Sequence, residues 1–209
     1  KENGIKVFTV DVTKENQDLK TIIATLQTKI AALEKQMAAL SKGTSPPATS
    51  AKTPKYRSQP KTVSSDAEAM KVFGLDKQMR PLKQIENNFE VQGDVVIDYA
   101  TGLMWQKAGS LKEVGYNDAQ KYIRQLNQQR FSGFTNWRMP TIDELLSLIE
   151  TNKHAHKLYI DPVFDEHQSW CWSADISSAH AAWHVYFHLG QVAQHALTYQ
   201  YFVRAVRSL

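Results

Sequence analysis

Residues 178–191, SAHAAWHVYFHLGQ, place His180, His184 and His188 at even four-residue intervals, and five of the chain's seven histidines lie between positions 167 and 195. On a helix this spacing would stack three imidazoles on one face and offer them to a metal ion. The neighbouring residues follow a different period. Trp183, Val185, Phe187 and Leu189 alternate with His184, Tyr186 and His188, so period two accounts for every residue. A helix would set Val185 and Leu189 beside His188 and leave no apolar face. The stretch therefore predicts a strand ending at a Gly190-Gln191 turn, with VAQHAL returning antiparallel. At about 3.3 Å per residue, His184 and His188 stand roughly 13 Å apart, too far to share one ion. No metal site is expected.

What the alternation does predict is a polar, aromatic outer face. His184, Tyr186 and His188 form it, joined by Gln194, His195 and Tyr199 from the returning segment. Rings with polar edges give large contact area at low entropic cost, so these six residues are the candidate ligand-binding set. Other reactive types are less promising. Cys171, the single cysteine, lies between Trp170 and Trp172 with no adjacent Lys, Arg or His to lower its pKa, and reads as a buried core residue rather than a thiolate. It also excludes an intramolecular disulfide and a Cys-rich zinc site. Asp161, Asp165 and Glu166 are of the type that binds calcium, but IDPVFDEH reads as a solvated loop. No cofactor and no catalytic residue is expected.

The elements that must position this face begin near Phe89. VVIDYATGLMWQ predicts a hairpin, with Val95–Ile97 and Leu103–Gln106 flanking a turn at Ala100-Thr101-Gly102. YNDAQKYIRQLNQQ puts Ala119, Tyr122, Ile123 and Leu126 on one helical face, with Asn117 as its cap. In PTIDELLSLIE, Thr141 and Glu144 form a capping box, and Ile142, Leu145, Leu146 and Ile149 form the buried stripe. Short strands follow from residue 170. A hairpin, two helices and then strands is an α+β order.

The first half of the chain is organised differently. Residues 1–12 predict an extended lead. In residues 13–41, Asn16, Ile23, Ile30 and Met37 occupy heptad position a, and Leu19, Leu26, Leu33 and Leu40 occupy d. The flanking g and e positions pair Glu15 with Lys20 and Lys29 with Glu34, while Ile22 meets Gln27. So narrow a stripe is the seam of a parallel coiled coil rather than the broader face of a core helix. Ile at a, Leu at d and one buried Asn favour two strands; a trimeric head can override this, so homodimer and homotrimer both stay open. Residues 42–65 hold Lys42, Lys52, Lys55, Arg57 and Lys61 with Pro, Ser and Thr, and predict an extended spacer able to touch an anionic surface peripherally. Residues 66–88 predict a short helix and a connector.

Charge separates these regions. Residues 1–88 carry 15 Lys and Arg against 9 Asp and Glu, and residues 89–209 carry 10 against 12, so the net +4 belongs to the N-terminal half. A slightly acidic head is not a nucleic-acid binder. No apolar run reaches the roughly 20 residues of a membrane span. The chain begins at Lys1 rather than Met, which leads us to expect an upstream segment, though nothing in it speaks for a lipid anchor.

TGLMWQ, DAQKYIRQLN, GFTNWRMPTIDELLSLIE, WSAD, AWHVYFHLGQV and YFVRAVRS occur in the order and spacing of one bacterial family. Over residues 89–209 the sequence resembles the DUF1566 family, also called the Legionella collagen-like (Lcl) adhesin C-terminal domain family. The resemblance implies a C-type-lectin-like head related to formylglycine-generating enzymes, and an extracytoplasmic setting at a bacterial periplasm or cell surface. It also implies structural roles for Trp105, Trp137, Trp172 and Trp183 and for the recurrent arginines Arg138, Arg204 and Arg207. These arginines are expected to pair with buried carboxylates or carbonyls and so fasten loops to the sheet, with Asp143 or Glu144 as one such partner. The related enzymes use a pair of thiols, which this chain lacks, and the EPN-like and WND-like motifs of calcium-dependent lectins are missing too. The Lcl adhesin binds sulfated glycans through a basic surface, whereas this head is net acidic. The function expected is adhesin-like, non-enzymatic recognition of a glycan or protein; an accessory subunit of an envelope assembly comes second and a sulfatase-modifying-type enzyme third.

Overall fold

The structure is a computed structural model that describes Lys20, Ile23, Ala24, Gln27, residues 56–155 and residues 157–209. Two compact units form, Lys1–Ala51 and Lys52–Leu209. In the first, Lys20, Ile23, Ala24 and Gln27 are α-helical and exposed, and Ile23, a heptad a residue, is 52% exposed in the single chain. The other heptad residues, Asn16, Leu19, Leu26, Ile30, Leu33, Met37 and Leu40, lie outside the described residues, as do the extended lead and most of the spacer.

The second unit is mixed α and β. Its elements are α1 (Asp66–Val72), β1 (Phe89–Gln92), β2 (Val95–Asp98), β3 (Leu103–Gln106), α2 (Tyr116–Gln128), α3 (Ile142–Leu146), β4 (Trp170–Ser178), β5 (Ala181–Tyr186), β6 (Gln191–Ala196) and β7 (Val206–Ser208). Two antiparallel sheets result, ordered β1-β2-β3-β7 and β4-β5-β6. The expected hairpin pairs Val96 with Trp105 across β2 and β3. Gly102, at φ +70°, supplies the left-handed turn between them.

Strand and helix faces fall into two separate cores. One gathers Val96, Trp105, Ile142, Leu145, Trp183, Val185 and Phe187. The other gathers Ile97, Met104, Ile123, Leu126, Trp137, Trp172 and Val203. Val95–Asp98 and Leu103–Gln106 are accordingly buried at every position. A strand covered on both sides divides its alternate side chains between two cores, not between core and water.

The helix ends test the local reading. Thr141 accepts from the Glu144 backbone N–H, and the Glu144 carboxylate accepts from the Thr141 backbone N–H at 2.9 Å, which completes the capping box. α2 differs from expectation: its N-cap is Gly115, which has no capping side chain, and Asn117 lies inside the first turn. The fully buried Glu144 also accepts from Arg138 Nη1 at 2.6 Å and from Arg138 Nη2. It thus serves the cap and the ion pair together, and ties α3 to the segment bridged with β7 through Arg138 and Val206. Glu144→Gln keeps the shape and removes the charge from both arrangements. We expect it to cost about 1.5–3 kcal/mol, the usual worth of hydrogen bonds to a charged group, read as a lower urea midpoint.

Residues 56–65 are part of this unit rather than spacer. Val63 is buried, its N–H donates to the Ile176 carbonyl, and its own carbonyl accepts from Trp183 Nε1 at 2.9 Å. Arg57 explains the attachment. Its Nη1 and Nη2 donate to the two oxygens of Asp175, both at 2.7 Å, and its Nε donates to Asp143. Asp175 is fully buried and also accepts from the backbone N–H of Lys61 and of Ile142 at 2.7 Å.

Candidate binding face

The strand predicted from the histidine spacing is β5, and VAQHAL returns within β6 in the expected antiparallel register. The orientation of its polar residues requires correction. His184 is not on an outward face: it is fully buried beside Trp170, Trp172, His195 and Tyr201. β5 is the middle strand of its sheet, and the side chains of the neighbouring strand and of the tail at Tyr201 close over the face that alternation assigned to water. Among the described residues neither His184 ring nitrogen has a hydrogen-bond partner. Its ring stands nearly perpendicular to that of Trp172, at 5.8 Å and 81°, in the T-shaped arrangement that aromatic pairs favour. Burial, reinforced by His195, pushes the His184 pKa down to about 3, so the ring is neutral.

Gln194 is also displaced from the expected set. It pairs with Trp183 across β5 and β6, and its amide donates to Asp66 at 3.1 Å. Neighbouring strand residues face opposite ways, so Gln194 and His195 cannot share a surface.

The remaining four residues do come together, around two rings the sequence reading left out. Trp170 stacks on Tyr186 at 3.5 Å between ring centres and on Tyr201 at 5.1 Å, both within 10° of parallel. His188 continues the row from Tyr186 at 5.7 Å. At the other end Tyr199 lies 6.2 Å from Tyr201 and stacks on His195 at 4.6 Å. The row is therefore His188, Tyr186, Trp170, Tyr201, Tyr199 and His195, with His184 buried beneath it. The His195 ring nitrogen contacts the Tyr201 hydroxyl and fixes the two rings together. Tyr199 is 53% exposed, Trp170, Tyr186, His188 and His195 are half-buried, and Tyr201 is nearly covered. Burial, then Tyr199 and Glu113, raise the Tyr201 hydroxyl to about 12, so it remains a donor across the physiological range. The missed signal was legible. Trp170 alternates with Trp172 in WCW, and Tyr201 follows Tyr199 by two.

Such a row offers pre-stacked apolar rings carrying phenol, indole and imidazole edges. Mutual stacking fixes the rotamers, so binding costs little additional side-chain entropy. Elsewhere, His180 is exposed before β5, and among the described residues no three His, Cys, Asp or Glu side chains converge for a metal. Asp161 and Asp165 accept from the backbone N–H groups of Val163 and His167 and so close their own loop. Cys171 is fully buried, and burial outweighs Arg204 to lift its thiol to about 11. Arg204 is buried as well and donates to the carbonyls of Gln106, Lys107 and Asp165. Arg207 donates to Asn136 and lies 4.0 Å over Phe134. Both arginines thus hold loops and rings in place.

Two antiparallel sheets, three short helices and a stacked aromatic surface describe a mixed α/β head with a non-polar contact strip. The family comparison is more specific: the model of the Lcl C-terminal domain matches residues 94–207, and the chain belongs to this family. A search of curated proteins finds no match. No helix among the described residues is long and apolar enough to cross a membrane.

Proposed function

We propose that this chain is a non-enzymatic, adhesin-like binding protein, extracytoplasmic in a bacterium, that recognises a glycan or protein ligand through its aromatic row. The observation that carries the reading is the parallel stack of Trp170 with Tyr186 and Tyr201, flanked by Tyr199 and His188 at the surface. Family membership supports the setting, and the unbroken heptads of residues 13–41 support a coiled-coil stalk that multiplies weak head contacts by avidity. The resemblance supports a C-type-lectin-like head, and the burial of Cys171 with a raised thiol supports a non-catalytic, cofactor-free role. Two excess acidic residues in 89–209 favour uncharged over sulfated glycans.

The test is a glycan and surface-protein binding screen of the full chain against a Tyr186/His188/Tyr199 alanine triple variant. His184 is left intact because its removal would disturb the interior. Loss of at least about tenfold in affinity, with the cooperative unfolding transition retained, is expected for residues at the centre of a contact. Equal binding by both proteins would remove the aromatic row as the recognition surface.

A further inference from the structure

A cleft of about 340 Å³ lies between the end of α1, the loop after it and α3. Phe73, Leu82, Ile85 and Leu146 give it apolar walls, and Asp143 is its carboxylate. Leu82 is 67% exposed at the mouth, a large apolar side chain with no cover. The cleft shares no residue with the aromatic row.

Charge distinguishes it from an ordinary surface dent. Asp143 and the buried Asp175 share the single guanidinium of Arg57, and Asp175 takes both of its Nη donors. Among the described residues in ion-pair contact there, two carboxylates meet one guanidinium, an excess of negative charge beside apolar walls, where field lines are poorly screened. The Asp143 side chain is still 26% exposed, so a ligand can reach it. Burial raises its carboxyl above the ordinary value in spite of Arg57, and burial followed by Asp98 and Asp143 raises the Tyr56 hydroxyl in the same cleft. Lys61 acts on Asp143 only through longer-range attraction, and Lys83 lies exposed at the rim. Neither forms an ion pair with it among the described residues.

We propose that this cleft binds an ammonium or guanidinium group carried on an apolar stem, as presented by a lysine or arginine side chain of a partner polypeptide. Asp143 receives the charged head, and Phe73, Leu82, Ile85 and Leu146 cover the stem, the way long cationic side chains ordinarily divide their two halves. The volume suits one such side chain inserted end-on, which makes this a second contact point for a protein partner, separate from the strip that recognises the main ligand.

The experiment is a titration of the isotope-labelled full chain, followed by NMR, with capped arginine (Nα-acetyl-arginine methylamide), n-pentylamine and the uncharged 1-pentanol. Saturable shifts at Leu82, Leu146 and Phe73 are expected with the two cations and at least tenfold weaker binding with 1-pentanol. Asp143→Asn should weaken capped arginine at least tenfold. Leu82→Lys, a change at an exposed rim position that leaves the Arg57 contacts intact, should do the same and keeps the test decisive if the first variant unfolds. Equal binding of pentanol and pentylamine, or full affinity in Leu82→Lys, would overturn the assignment. Binding of pentylamine with exclusion of capped arginine would overturn the partner side chain as occupant. So would tighter binding in a Lys52/Lys55→Ser variant, which would make the chain's own lysines the occupants.

Discussion

Arg57→Ala is expected to destabilise the head by about 3–5 kcal/mol, the range for removing one member of a buried ion pair. The reason lies in what remains. Asp175 is fully buried and, among the described residues, would keep the backbone N–H groups of Lys61 and Ile142 against its charge. Asp143 would lose its cation as well. For a unit of this size the loss corresponds to a melting temperature lower by roughly 6–20 °C. A double-mutant cycle separates this cause from a simple loss of packing: Arg57→Met with Asp175→Asn removes both members of the buried pair and should be milder than Arg57→Met alone. If the double variant is the less stable of the two, the buried charge is not what Arg57 is there to neutralise. The practical consequence is that a head fragment beginning after Arg57 will fold poorly, even though its family match begins only at residue 94.

The second large effect is a loss of stability in acid set by His184. Folding lowers its pKa from the ordinary 6.5 to about 3, with burial as the main cause and His195 adding to it. The unfolded chain therefore binds a proton that the folded chain refuses. The stabilisation is fully present above about pH 6.5 and is lost progressively as pH falls toward 3. At pH 5 the contribution lost is about 2 kcal/mol, from 1.36 kcal/mol per pKa unit. The rings packed around His184 are His195, Tyr201, Trp170 and Trp172, and among the described residues no carboxylate pairs with it to soften the change. Urea unfolding at pH 7.5, 6 and 5 should show a steeper decline for the natural chain than for His184→Phe, whose ring fills the same space without titrating. Identical slopes would mean that water reaches the imidazole and that it is not sealed beneath the aromatic row.

Much of this architecture was legible in one sequence because local chemistry decides it. Thr141 and Glu144 announce a capping box three residues apart, and they form one. Trp183, Val185, Phe187 and Leu189 alternate with polar residues, and β5 is a strand. Asn117 is not the cap, because a glycine in extended conformation at 115 serves that position without a side-chain signature. The candidate site was read less well. Tyr186, His188, His195 and Tyr199 do converge, but Gln194 belongs to the opposite side of β6, and period two already implied as much.

What the sequence determined by itself was periodicity, in the heptads of residues 13–41 and the strands and helices after Phe89, and, through motifs such as TGLMWQ and NWRMPT, a resemblance to one family. The tertiary structure decided which alternating face meets water. Alternation says that two faces differ, while only the packing of Tyr201, Trp170 and Trp172 around β5 shows that the face bearing His184 is a second interior. Long-range partnership was equally invisible in the chain. Arg57 reads as one more cation in a basic spacer, and only the fold brings Asp175, 118 positions away, within 2.7 Å of it. A charge that local context marks as solvated becomes structural because a distant carboxylate has been removed from water and has to be neutralised there.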